Sequence, residues 1–255
     1  MIKKIINSLN NKLFFFKPKI LSDKKLKHFG TIYGGYDIYD NELINPTVIS
    51  CGVGEDISFD IDIINYYNAN IYLIDPTPRS KIYFDEVKSN FGITTERKYN
   101  ETGYINPKNY NLKNVNSNNV FYIDKAFSSR NNGSIKLYYP KNPKHVSLSL
   151  NNKNNSRISD NSIICETIDY QSMLQNFKIK QVDILKLDIE GSEIEVLKSI
   201  LVNENLPKQI LVEFDIRRRP SFLNKKKLET IHKKIIKKYE LININKKGDF
   251  TYILK

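Results

Sequence analysis

Tryptophan is absent, alanine occurs only at Ala69 and Ala126, and cysteine only at Cys51 and Cys165. Two cysteines this far apart, with no CxxC and no Cys/His cluster, signal neither a disulfide framework nor a structural zinc site. Long apolar runs are missing too: nothing approaches the ~18 residues of a membrane span. With 10 Gly and 9 Pro in 255 residues, the chain is neither collagenous nor of low complexity.

Lys, Asn, Ile and Tyr are abundant instead. Forty Lys+Arg against 28 Asp+Glu leave a formal net charge of +12. Such a charge invites nucleic acid or an anionic membrane as partner. A/T-rich codons encode these same residues, so genome composition can produce the balance without selection for a polyanion. Hydrophobic content of 40%, with 16 Tyr and 13 Phe, excludes full disorder and supplies the core of one large domain. The opening MIKKIINSLNNKLFFFKPKI starts like a signal peptide. Asn7, Asn10, Asn11 and Lys12 interrupt its apolar part, and no small-residue cleavage site follows. We read residues 1–45 as a basic extension, helix or arm, packed on or preceding the core. Residues 46–255 read as a single domain in a reducing, cytoplasmic setting.

From residue 47 strands and helices alternate. Residues 47–50, 71–75, 120–124, 182–188 and 209–214 read as strands. Residues 57–67, 80–91 (with Ser80 as N-cap), 170–177, 192–203 and 224–239 read as helices. In the last, Leu228, Ile231, Ile235 and Ile236 share one face and lysines occupy the rest. Residues 134–139 and 145–150 alternate like strands or a hairpin, and 151–155 reads as a polar loop. Residues 241–245 and 250–254 form a closing hairpin. This is an α/β pattern: a mainly parallel, doubly wound sheet with an antiparallel strand at or near its edge.

Such sheets bind ligands beyond the carboxyl ends of their strands. In this sequence those ends carry Glu55 and Asp56, Asp75, Asp124, Asp188 and Glu190, and Glu213 and Asp215. The pocket is thus acidic in a basic protein, which suits a cationic or polyhydroxylated ligand. Gly52-Val53-Gly54 begins a dinucleotide-type loop, but Ile57 replaces the third glycine, and Glu55 and Asp56 would repel a pyrophosphate. Asp75 follows Gly54 by 21 residues, close to the spacing of a ribose-binding acid. A nucleoside without phosphates fits, and S-adenosyl-L-methionine combines adenine, ribose, a sulfonium cation and an amino-acid tail.

Three blocks, V-I-S-C-G-V-G-E-D-I-S-F-D (48–60), Y-L-I-D-P-T-P (72–78) and D-I-L-K-L-D-I-E-G-S-E-I-E-V-L (183–197), resemble the FkbM-type methyltransferase family. H-V-S-L-S-L (145–150), Tyr33-Gly-Gly-Tyr36 and I-L-V-E (210–213) resemble it as well. The resemblance implies a class I methyltransferase (Rossmann-like) fold, S-adenosyl-L-methionine as donor, and O-methylation of a sugar or other small hydroxylated metabolite. The expected donor-binding set is Ser50, Cys51, Gly52, Val53, Gly54, Asp56, Phe59, Asp75, Pro76, Thr77, Asp124, Lys125, Ala126 and Asp188. Candidates for the general base are Asp188 first, then Glu190 and Glu213, with His145 chosen for its near-neutral titration. Lys186 reads as a substrate ligand or as a buried partner of a carboxylate, with Glu213 as one such partner. Arg217, Arg218 and Arg219 read as a grip for an anionic nucleotide-sugar or as a solvated loop. Asp188, Glu190 and Glu213 are also hard ligands suited to Mg²⁺, although their spacing does not demand it. Two alternatives stay open: a nucleic-acid methyltransferase using the basic surface, and a non-catalytic nucleoside-binding module. The lack of aromatic-flanked basic recognition motifs speaks against the first.

Overall fold

The structure is a computed structural model that describes residues 13–20, 22–40, 43–101, 103–142, 145–150 and 158–255. Leu26–Phe29 (β1) and Tyr36–Tyr39 (β2) pair antiparallel inside the segment read as a basic extension. Both strands are four residues long and mix Lys27, His28 and Asp37 with apolar neighbours, so no clear period announces them. The ribbon is tied to the main sheet. Gln209 accepts from Tyr39 N at 3.0 Å and donates to Tyr39 O at 2.7 Å. Phe29, Tyr36 and Ile38 are buried in the core.

The strand–helix steps follow: Thr47–Cys51 (β3), Ser58–Tyr67 (α1), Asn70–Ile74 (β4), Pro78–Lys88 (α2) and Val120–Ile123 (β5). Helix α2 starts two residues before the expected Ser80. Proline's fixed φ suits the first helical position, where its missing N–H leaves no bond unmade. Ser80 is buried and its hydroxyl donates to the Thr77 hydroxyl oxygen at 2.6 Å instead.

After β5 the chain leaves the main sheet. Ala126–Phe127 (β6), Ser134–Pro140 (β7) and Ile158–Ile168 (β8) form a three-stranded sheet in the order β6-β8-β7. Residues 134–139 are a strand, as one of the two readings expects, but 145–150 does not pair with it as a hairpin. The partner of β7 is the eleven-residue β8, and residues 145–150 meet β7 only at a bridge between Tyr138 and Ser149. The polar loop at 151–155 and the first twelve residues lie outside the described residues.

The rest is Tyr170–Asn176 (α3), Ile184–Leu187 (β9), Glu193–Ile200 (α4), Gln209–Val212 (β10), Phe222–Ile235 (α5), Tyr239–Ile244 (β11) and Phe250–Leu254 (β12). Helix α5 begins at Phe222 because the Ser221 hydroxyl accepts from Asn224 N at 3.2 Å, an N-cap. It buries Leu228, Ile231 and Ile235, while Ile236 falls just past its end.

The main sheet runs β11-β12-β10-β9-β3-β4-β5. The strands from β10 to β5 are mutually parallel. Strand β12 is antiparallel to both β10 and β11, one place in from the edge. Chain order reverses between β3 and β9, which makes a topological switch point. Val48, Ile71 and Leu73 pack with α1 and α2 on one face. Ile49, Ile210 and Val212 pack with α3, α4 and α5 on the other. Helices therefore cover both faces, which is why the central strands are apolar throughout. Among the described residues no helix is long and apolar enough to cross a membrane. Cys51 and Cys165 are free and buried.

Candidate active site

Parallel pairing lines the acidic residues up along one edge of the sheet. In spatial order the strand ends bear Asp124 (β5), Asp75 (β4), Glu55 and Asp56 (β3), Asp188 and Glu190 (β9), and Glu213 and Asp215 (β10).

The glycine loop after β3 sits at the switch point. Gly52 has φ +86°, and a Cβ there would lie 2.1 Å from the carbonyl oxygen of Asp188. Only glycine allows that approach of β3 to β9. Gly54 has φ +57°, and a Cβ there would meet nothing within 4 Å, so its backbone faces open space. Asp75 fastens the loop: its Oδ2 accepts from Val53 N at 2.8 Å and Gly54 N at 3.2 Å. Its Oδ1 accepts from Thr77 N at 2.8 Å and from the Thr77 hydroxyl. Gly52, Val53, Gly54, Asp75 and Thr77 are thereby brought together.

Other members of the expected donor set have different surroundings. Phe59 turns into the core, edge-on to Tyr36 at 5.7 Å. Asp56 accepts from the Thr31 hydroxyl at 2.7 Å and from Ser58 N at 2.9 Å, holding the β1–β2 turn against α1. Ser50 and Cys51 are fully buried beneath the loop, and burial holds the Cys51 thiol well above its usual range. The Pro76 carbonyl lies 3.9 Å from Cys165 Sγ on β8. Asp124 is exposed, Lys125 pairs with Glu166 at 2.9 Å, and Ala126 is buried in the small sheet's core.

Carboxylates crowd the next two strand ends. Burial raises the Asp188 carboxyl, against the pull of Lys186. Glu190 is pushed up to about 7 by burial and by the Asp188 charge, although the Ser147 side chain hydrogen-bonds it. Glu213 is pushed up to about 8 by the same two causes. Glu193, whose carboxylate accepts from Gly191 N at 2.8 Å, is pushed up to about 8 by burial. Glu190 is left-handed at φ +50°, and Gly191 follows at φ +111°, so the chain turns sharply around the cluster. Carboxyls tuned toward neutrality at a strand-end cleft are the groups that acid–base chemistry needs.

The cations are placed differently from expectation. Lys186 is buried and donates to Gly52 O at 2.8 Å. Glu213 pairs with Arg218, not Lys186, because the turn Asp215–Arg218 brings its own last residue back beside Glu213. Arg219 pairs with Asp215, and Arg217 donates to the carbonyls of Phe16 and Gly248 at 3.2 and 3.3 Å. Arg217 is therefore folded onto the protein, while Arg218 and Arg219 are exposed, as the solvated-loop reading expects, and pair with the acids beside them. Among the described residues no group of three His, Cys, Asp or Glu side chains is arranged to hold a metal ion.

His145 lines a cavity of about 770 Å³ together with Ile82, Tyr83, Tyr104, Tyr139 and Leu148, which reaches Glu55 and Thr77 beside the glycine loop, while Ser147, two residues on, hydrogen-bonds Glu190. Sequence reasoning gave no role to Tyr33 and Tyr36. The Asp188 and Glu213 charges raise the hydroxyls of both, after burial, and Lys247 holds their turn by donating to Tyr33 O at 2.6 Å. The Tyr33-Gly-Gly-Tyr36 block was the available signal.

The methyltransferase FkbM domain matches residues 64–224. The chain belongs to this family of methyltransferases. No curated protein matches it. Among solved structures, a Pyrococcus horikoshii protein provisionally described as a transferase superposes with a TM-score of 0.30 at 9% identity, covering 91% of this chain and 71% of its own. A superposition that loose carries no argument about the fold.

Proposed function

We propose that the protein transfers a methyl group from S-adenosyl-L-methionine to a hydroxyl oxygen of a sugar, nucleotide-sugar or glycan precursor in the cytoplasm. We read the strand order, with one antiparallel strand next to the edge, as the class I methyltransferase (Rossmann-like) arrangement. One observation carries the proposal: the glycine loop packs on the backbone of the strand end from which the raised carboxylates project. Gly52 packs on the Asp188 carbonyl, so a ligand lying along Gly54 ends beside Asp188, Glu190 and Glu213.

The residues present fit the donor. The open backbone at Gly54 admits a close approach, and the acidic rim favours a cation. The bound donor supplies a methyl group already activated by its sulfonium. The chain's own task is alignment and exclusion of water. Asp75 is the candidate for the ribose hydroxyls. Each of its oxygens already accepts two hydrogen bonds, so ribose takes the place of the longest, from Gly54 N. Glu213 or Glu190, with Asp188 beside them, accepts the proton of the acceptor hydroxyl.

Calorimetry with S-adenosylhomocysteine on wild type and Asp75→Ala tests the donor half. A strong loss of affinity is expected, and unchanged affinity removes the ribose assignment. Mass-spectrometric detection of methyl transfer to a panel of sugars and nucleotide-sugars tests the acceptor half. A panel with no methylated hydroxyl removes it.

A further inference from the structure

A second cavity, of about 650 Å³, opens on the other side of Glu213. It lies between residues 15–20, the turn Asp215–Arg218 and the β11–β12 turn. Six cations line it, Lys17, Lys19, Arg217, Arg218, Lys246 and Lys247, and Glu213 is its one acid. The acidic rim described above thus has a basic neighbour that shares a wall with it.

Arg217 is the fixed element. Its guanidinium lies over the rings of Phe15 at 4.2 Å and Phe250 at 5.4 Å. Its Nε and Nη1 donate to two backbone carbonyls, which sets the plane of the group. Gly248 has φ +104°, and a Cβ there would lie 1.8 Å from Arg217 Nη1, so the turn makes room for this side chain. Arg218 and Lys247 have acid partners in Glu213 and Asp249. Among the described residues Arg217, Lys17, Lys19 and Lys246 have no carboxylate partner. The buried Asp249 carboxylate acts on Arg217 only from beyond ion-pair distance, so a half-buried guanidinium without a direct ion pair gains favourable interactions from an anion in the cavity. A planar, pre-oriented guanidinium with free N–H groups matches the paired oxygens of a phosphate.

We propose that this cavity is a phosphate subsite, so that the acceptor is a phosphate- or diphosphate-bearing sugar held at Arg217 with its hydroxyl directed to Glu213. The acceptor assignment rests on the methyl-transfer reading above; the anion site does not. Binding at a charged group remote from the reacting oxygen orients that oxygen, as remote binding energy does in other enzymes. The rim repels phosphate and the neighbouring cavity attracts it, so a two-ended ligand has one orientation.

The test is calorimetry on the full chain, with inorganic pyrophosphate as probe and S-adenosylhomocysteine in a separate titration. Wild type should bind pyrophosphate, more weakly as salt is raised. Arg217→Gln should weaken that binding about tenfold or more. The exposed pair Lys17→Gln/Lys246→Gln, which leaves the packing around Arg217 in place, should weaken it about fivefold. S-adenosylhomocysteine affinity should stay within about twofold in both variants. Absent binding in wild type, or unchanged binding in the double variant, overturns the subsite. Pyrophosphate binding without S-adenosylhomocysteine binding overturns the methyltransferase reading and leaves the anion site standing. In transfer assays a sugar phosphate or nucleoside-diphosphate sugar should have a kcat/KM about tenfold or more above that of the unphosphorylated sugar. The better of the two identifies the source of the phosphate. Equal values for all three overturn the acceptor assignment.

Discussion

Lys186 donates from Nζ to the carbonyl oxygen of Gly52 at 2.8 Å, joining the strand that carries Asp188 to the glycine loop. The same buried ammonium draws down the carboxyls of Asp188 and Asp60, which burial holds up. One cation thus fixes the geometry of the loop and tempers the acidity beneath it.

Lys186→Met should separate these effects from mere packing. Methionine fills similar volume but neither donates nor carries charge. Stability should fall by about 2 kcal/mol, the loss expected for a charged hydrogen bond in the interior. S-adenosylhomocysteine affinity should fall about tenfold as the Gly52 carbonyl loses its anchor. Chemical denaturation and calorimetry on the same preparation measure both.

The two loop glycines should respond differently. Gly52→Ala places a methyl against the Asp188 backbone in a left-handed conformation, so a loss of roughly 3 kcal/mol is expected. Gly54→Ala meets open space and should cost about 1 kcal/mol. Its effect should appear in donor affinity, because the added methyl enters the open space where the donor is proposed to lie. Denaturation midpoints and S-adenosylhomocysteine titrations distinguish the two; similar affinities in Gly54→Ala and wild type would separate the loop from the donor.

The rate should depend on pH through the raised carboxyls. A base works only when deprotonated, and Glu190 and Glu213 lose their protons at about 7 and about 8. The kcat/KM should therefore climb between pH 6 and 8 and level off above, a rise of about tenfold per pH unit on its steep limb. Glu213→Gln should lower the plateau and shift or flatten the rise.

Stability should run the opposite way. Glu193 keeps its proton to about 8 when folded, against 4.5 for an ordinary glutamate. The folded state therefore binds more protons than the unfolded state across that interval. Its contribution is complete below about pH 4.5 and is lost as pH rises through about 8. Glu193→Gln, which keeps the shape and removes the titration, should flatten that part of the stability profile in urea melts taken from pH 5 to 9.

Much of this was legible because α/β steps write themselves locally. Thr47–Cys51 and Ile184–Leu187 are short apolar runs ending in glycine or acid, and their ends foretold the acidic rim. What was hidden depended on distant partners. Strand β8 mixes Asp160, Asn161 and Ser162 into its first half, so its alternation is blurred and a nearer segment looked like the mate of β7. The Glu213–Arg218 pair needed the turn at Asp215–Arg218, which no propensity marks. The meeting of Tyr33 with the carboxylates depends on the β1–β2 ribbon folding back over α1, a long-range event.

Strand β12 hydrogen-bonds on both sides, to β10 and to β11. Detachment of the β11–β12 hairpin therefore bares the whole length of Gln209–Val212, a strand buried at every position. An exposed, apolar strand with unmade backbone bonds is a template for another chain. The hairpin thus serves as a guard rail as well as a sheet element: while it holds, the backbone edge of Gln209–Val212 is closed to a second copy of the protein.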